Sequence, residues 1–104
     1  MEDRKENLTI DDYTNKISLE PNNYNFYVER GILYASNSDF NKARADYTKA
    51  IDVYPYAFEA YNNRGNIYRQ EKIYDLAISD YTKCISINPI AVQSYINRGS
   101  VYDE

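Results

Sequence analysis

Apolar and polar residues alternate along this chain with a helical period, in short stretches broken by proline and polar turns. Around residue 65, Tyr61, Arg64, Gly65 and Tyr68 fall at i, i+3, i+4 and i+7, one face of a helix. The next stretch repeats the spacing with Tyr74, Ala77, Ile78, Tyr81, Cys84 and Ile85. Pro89 then closes the pair, because proline does not continue a helix interior and disfavours helix in Asn88 before it. Applied to the whole chain, this pattern predicts helices over residues 7–19, 24–37, 40–53, 58–71, 74–87 and 92–104. Asn22 and Asn23, just after Pro21, are expected N-caps. Asn37 is expected to end its helix in the left-handed conformation.

The stretches are also copies of one another. The phrases YVERGILY, YNNRGNIY and YINRGSVY place Gly31, Gly65 and Gly99 34 residues apart, and the chain has no other glycine. Pro21, Pro55 and Pro89 keep the same interval of 34, as do Arg30, Arg64, Arg98 and Asp12, Asp46, Asp80. Three tyrosine series follow it too: 27, 61, 95; 34, 68, 102; and 13, 47, 81. Such a period marks an array of units that each need a neighbour to cover an apolar face. Glycine inside a helix costs roughly 1 kcal/mol against alanine, so the three glycines need a packing reason. They lie on the buried face, where a missing Cβ lets a partner helix come close. Ala43 and Ala77 are expected to supply the small residue opposite, with tyrosines filling the flanks.

These residues resemble the tetratricopeptide repeat. The match rests on Tyr27, Gly31, Tyr34, Ala43, Tyr47, Ala50 and Pro55 in one unit, and on Tyr61, Gly65, Tyr68, Ala77, Tyr81 and Pro89 in the next. The resemblance implies an all-α fold, an α-solenoid of antiparallel helix pairs in a right-handed superhelix of about six helices. It implies one domain over 1–104, made of a partial repeat 7–21, repeats 22–55 and 56–89, and a partial repeat 90–104. The sequence departs from the family where Arg30, Arg64 and Arg98 replace a residue that is more often aliphatic. Thr9 and Lys16 replace the usual small residues of a second helix, so that end is expected to pack less well.

An arginine on a packing face needs a partner. The aspartate series offers two schemes. One joins neighbouring units, Asp12 with Arg30, Asp46 with Arg64 and Asp80 with Arg98, and is the favoured expectation. The other stays within a unit, Arg30 with Asp46 and Arg64 with Asp80, and leaves Asp12 and Arg98 without mates. Either would set register more than add stability, because burying ions has its own penalty.

Composition narrows the functional classes. The net charge is −4, from 16 acidic and 12 basic residues, which does not favour phosphate backbones or anionic lipid. Neither nucleic acid nor membrane is an expected partner. No apolar run approaches the roughly 20 residues of a membrane span, and the opening MEDRKENLTIDD lacks the apolar core of a secretory signal. Cys84 is the sole cysteine, so no internal disulfide forms and a reducing, cytoplasmic setting is expected. The chain has no histidine, so Cys84 lacks its usual base and reads as a small buried residue in the place of Ala50. No phosphate loop, cofactor motif or metal-ligand spacing occurs, and no catalytic residue is assigned.

Function is therefore expected in binding. The family resemblance implies that first helices line a concave groove for a peptide or partner helix. The stripes opposite the packing face are Asn25, Val28, Glu29 and Ile32; Glu59, Asn62, Asn63, Asn66 and Arg69; and Gln93, Ile96, Asn97 and Ser100. Asparagine amides both donate to and accept from a peptide backbone. Asn63 and Asn97, 34 residues apart, are expected to form a short ladder like that of the O-GlcNAc transferase groove. The family's two-carboxylate clamp for chaperone C-termini is rejected, because its basic positions match Val28, Ile32, Asn63, Gln93 and Asn97, of which only Asn63 agrees. Val28, Ile32 and Ile96 instead make part of the groove apolar. A structural alternative rests on phase: the array opens with a second helix and ends with a first. Residues 3–104 make three periods of 34, so chains would join head to tail with correct spacing. The helix over 92–104 would then offer Tyr95, Ile96, Val101 or Tyr102. The competing reading is a piece of a longer array.

Overall fold

A computed structural model describes residues 7–103, which form six helices and no strand. In order they are α1 (Ile10–Leu19), α2 (Tyr24–Ser36), α3 (Phe40–Val53), α4 (Phe58–Gln70), α5 (Tyr74–Ile87) and α6 (Val92–Tyr102). Each packs on the next in sequence. The α2–α3 and α4–α5 hairpins are the most extensive contacts, and the joint between α3 and α4 is slighter. Residues 1–6 and 104, the last residue of the expected helix 92–104 among them, lie outside the described residues.

Helix ends follow local chemistry. Helix α1 starts at Ile10, later than expected, because Thr9 makes a capping box: its hydroxyl accepts from the Asp12 N–H, and its own N–H donates to Asp12 Oδ2 at 2.8 Å. That N–H holds the Asp12 carboxyl below its ordinary range. Asn23 caps α2 by accepting from the Asn25 N–H. Asn37 does not take the left-handed conformation: its φ is −92°, and the next residue, Ser38, has φ 62°. Lys72, one period later, has φ 65°. In both places the chain closes as a Schellman motif. Ser38 N–H donates to Ala35 O and Asp39 N–H to Tyr34 O, with the same pair at Lys72 and Ile73. The left-handed residue must stand one past the cap for these bonds to form.

Burial runs through the hairpins and across the α3–α4 joint, where Ala57, Ala60 and Ile67 share one apolar cluster with Tyr27, Ala43, Tyr47 and Ala50. Ala43, Ala50, Ala60, Ala77 and Tyr81 have no exposed surface, and Tyr47 has 2%. The expected role of the glycines is corrected in one respect. The side chain against Gly31 is the Tyr47 ring, whose Cε1 stands 2.6 Å from where a Cβ would be; at Gly65 it is Tyr81, at 2.8 Å. Ala43 and Ala77 lie one turn away and are buried, but the glycine gap is filled by a ring rather than by a small residue. Gly99 has nothing within 4 Å of the same position.

The favoured ion-pair scheme is also corrected. Arg30 donates from Nε and Nη2 to both oxygens of Asp46, at 2.8 and 2.7 Å, and Arg64 does the same to Asp80, at 2.8 and 2.8 Å. The pairs lie within a hairpin, 16 residues apart, and not between units. The fork geometry explains the choice: two parallel bonds use both carboxylate oxygens of the hairpin mate. The aspartate hydrogen bonds raise the pKa of both guanidinium groups. The remaining Nη1 of each arginine reaches back to the preceding second helix, Arg30 to Thr14 and Arg64 to Thr48 at 3.0 Å, and Arg98 to Thr82 at 3.3 Å. Each arginine thus ties its helix to the one before, and Arg30 and Arg64 to the one after as well.

The two ends differ from the middle. Helix α1 buries no residue fully, as its Thr9 and Lys16 foretell. In α6, Tyr95, Ile96 and Tyr102 are 44%, 55% and 66% exposed. Val101, expected beside them, is instead buried with Ala77 and Tyr81 against α5.

Candidate functional site

The first helices of the hairpins, α2 and α4, together with the start of α6, enclose a concave pocket of about 350 Å³. Helix α2 contributes Asn25, Val28, Glu29 and Ile32; helix α4 contributes Phe58, Glu59, Asn62 and Asn63. Gln93 lines it from the first turn of α6, beside Val92 and Ser94. Eight of the sequence-predicted groove residues therefore meet at one pocket. Asn66 lines a neighbouring depression with Ile32, Asn63 and Tyr47. Arg69, Ile96, Asn97 and Ser100 line neither.

The expected asparagine ladder does not form. Asn97 is buried at 7% exposure and faces α4. Its amide donates to Asn62 Oδ1 at 3.3 Å and Asn66 Oδ1 at 3.2 Å, and its oxygen accepts from Gln93 Nε2 at 2.9 Å. Ser94 Oγ donates to the same Asn62 oxygen at 2.7 Å and lies 2.9 Å from Cys84 Sγ. Tyr81 donates to Asn66 Oδ1. These bonds make a polar seam between α4 and α6, in which both N–H donors of the buried Asn97 amide are spent within the protein. Asn63 makes no such bond among the described residues and lines the pocket.

The pocket wall is apolar at Val28, Phe58 and Val92 and polar at its amides, with two carboxylates, Glu29 and Glu59. Both carboxylates are exposed and form no ion pair among the described residues. No lysine or arginine lines the pocket. Cys84 touches its floor, and burial, the largest influence, pushes its thiol pKa up. Among the described residues no cluster of three or more metal-binding side chains occurs, and no helix is long and apolar enough to cross a membrane. Sequence reasoning missed Phe58, Val92 and Ser94. The first two belong to one more series at 34, with Tyr24, in the opening turn of each first helix.

Comparison with known proteins agrees with this geometry. Tetratricopeptide repeat family profiles match residues 24–56 and 58–89. The chain belongs to the tetratricopeptide repeat family. Among solved structures, it is similar to the Arabidopsis OM64 TPR domain, at 22% identity and a TM-score of 0.87, over 91% of this chain and 78% of that one. It is similar to the first TPR of Spaghetti (RPAP3) bound to the HSP90 peptide SRMEEVD, at 21% identity and 0.87, over 90% and 75%. The second TPR domain of human RPAP3, in complex with the HSP70 peptide SGPTIEEVD, follows at 20% identity and 0.85, over 91% and 79%. Among curated proteins none matches significantly.

Proposed function

We propose that this chain is a protein-interaction module that holds an extended peptide segment in the pocket between α2, α4 and the start of α6. The observation that carries the reading is the lining itself: an apolar floor at Val28 and Phe58 beside the amides of Asn25 and Asn63. Apolar pockets with a few placed polar groups suit side-chain capture with backbone hydrogen bonding. The similar RPAP3 domains are solved with acidic peptides. Here Glu29 and Glu59 stand at the pocket with no cation in its lining, so the groove disfavours an acidic tail and suits a segment with an aliphatic and a basic side chain. Arg69, Ile96, Asn97 and Ser100 are left outside this proposed contact.

Selection from a phage-displayed random peptide library tests this. The expected result is enrichment of peptides that combine Leu, Ile or Val with Lys or Arg. Binding of a selected peptide should fall about tenfold in a Glu29→Lys, Glu59→Lys variant, by loss of complementarity. No enrichment, or enrichment of acidic tails, would overturn it.

A further inference from the structure

We infer that a ledge of tyrosines at the α3–α4 turn seats an arginine side chain of a partner protein. Tyr24, at the start of α2, stacks on Tyr54 with ring centroids 4.6 Å apart, and Tyr54 meets Tyr56 at 5.8 Å and 68°. Tyr24 packs against the buried apolar cluster, whereas Tyr54 and Tyr56 do not belong to it and are 40% and 64% exposed. Repeat packing does not ask for these two rings. The matching turns carry Glu20 and Asn22 one period earlier, and Asn88 and Ile90 one period later. The tyrosine pair is peculiar to the middle turn.

The chain shows what such rings hold, because its own arginines lie on tyrosines. Arg30 stands 5.7 Å from the Tyr34 centroid and Arg98 5.8 Å from that of Tyr95. Arg64 is the fullest case: it stands 5.7 and 5.9 Å from Tyr61 and Tyr68, with both oxygens of Asp80 on its fork. That seat is two tyrosine rings and a carboxylate.

The ledge has the same parts without the cation. Tyr54 and Tyr56 meet at a steep angle, and two carboxylates stand by Tyr24. Glu20 lines the adjoining depression with it, and burial first and then the charge of Glu59 raise its phenol pKa. Among the described residues neither glutamate is in an ion pair, and no lysine or arginine lies over any of the three rings. A cation within about 6 Å of a ring face is attracted by the ring quadrupole. The planar, weakly hydrated guanidinium stacks on such a face better than an ammonium does, so arginine is the occupant that fits. The net charge of −4 favours its approach. The ledge stands whether or not the pocket takes a peptide.

The test is a titration of the purified chain with N-acetyl-arginine amide, followed by NMR at the tyrosine ring signals. The expected result is a saturable shift of the Tyr54 and Tyr56 rings, weaker with the lysine counterpart. It should be absent with the citrulline counterpart, which keeps the shape and loses the charge. Tyr56→Leu should weaken binding about two- to fivefold, the worth of one exposed cation–ring contact. Tyr56→Phe should keep it, because the ring face and not the hydroxyl attracts the cation. Tyr56 is mostly exposed, so both variants keep the helical circular dichroism spectrum. Arginine that leaves both rings unmoved overturns the proposal, as does citrulline that shifts them equally, or binding indifferent to Tyr56→Leu. Arginine that moves only the Asn63 amide signals overturns it too, and puts the cation at the pocket. Ring shifts in a chain that selects no peptide from the library uphold the ledge and tell against the pocket.

Discussion

Tyr47 Cε1 lies 2.6 Å from the point a Gly31 Cβ would occupy, and the same ring atom of Tyr81 lies 2.8 Å from that of Gly65. Both rings are buried and have nowhere to move. Gly31→Ala and Gly65→Ala should therefore destabilise by about 1–2 kcal/mol, overpacking outweighing the gain in helix propensity. Gly99→Ala, in open space, should stabilise the fold by about 0.5–1 kcal/mol. Urea unfolding separates the two signs.

The Arg64–Asp80 fork joins α4 to α5 with both partners mostly buried, at 18% and 7% side-chain exposure. Asp80→Ala leaves the guanidinium without its carboxylate. The expected loss is about 2–3 kcal/mol, at or just below the range for fully buried pairs because Arg64 keeps some water contact. Replacing both residues, Arg64→Met with Asp80→Leu, should recover most of it. Thermal unfolding of the two variants checks this.

Ser38 and Lys72 hold φ of 62° and 65°, a conformation costly to residues with a Cβ. Ser38→Gly and Lys72→Gly should each stabilise by about 0.5–1 kcal/mol, since the Schellman bonds are kept and the strain is removed. A raised urea midpoint with an unchanged slope is the expected result.

Burial raises the pKa of Tyr47 well above the ordinary 10.0, with Asp46 and Glu29 adding to the effect. The folded state thus favours the neutral phenol. Its contribution is complete below the unfolded value near 10.0 and is lost as pH rises from there toward the folded value. Stability should decline above pH 10 more steeply in the wild type than in Tyr47→Phe. Circular dichroism melts at stepped alkaline pH read the difference.

Asn63 and Asn97 occupy matching places in sequence but not in environment. Asn63→Ala should leave stability nearly unchanged and weaken a library-selected peptide by several-fold. Asn97→Ala should cost about 1–3 kcal/mol by removing its hydrogen bonds to Asn62, Asn66 and Gln93 from the α4–α6 seam, with little direct effect on the peptide. Paired melting and fluorescence anisotropy measurements distinguish them.

The six helices and their period were legible because glycine, proline and tyrosine each mark a packing demand that recurs with the unit. Spacing alone did not choose between the two arginine partners. An aspartate series at 34 lies both 16 residues after and 18 before the arginine series, and only the carboxylate fork of the hairpin mate decides. The threonines at 14, 48 and 82 were as regular as the aspartates, yet a hydroxyl that only accepts from an arginine carries no strong sequence signal. On α2 and the first half of α4, the stripe opposite the packing face coincides with the lining of the candidate pocket. It failed on α6 at Asn97, where side-chain hydrogen bonds across to Asn62 and Asn66 turned an apparent surface amide inward.

Each hairpin is bolted internally by an arginine fork and a glycine-seated ring, whereas the α3–α4 joint has the slighter contact. Under a bending load the molecule should yield at the joints between units, α1–α2 and α3–α4 alike, before it yields within a hairpin. The width of the concave side is then an elastic quantity, set by whatever strains it.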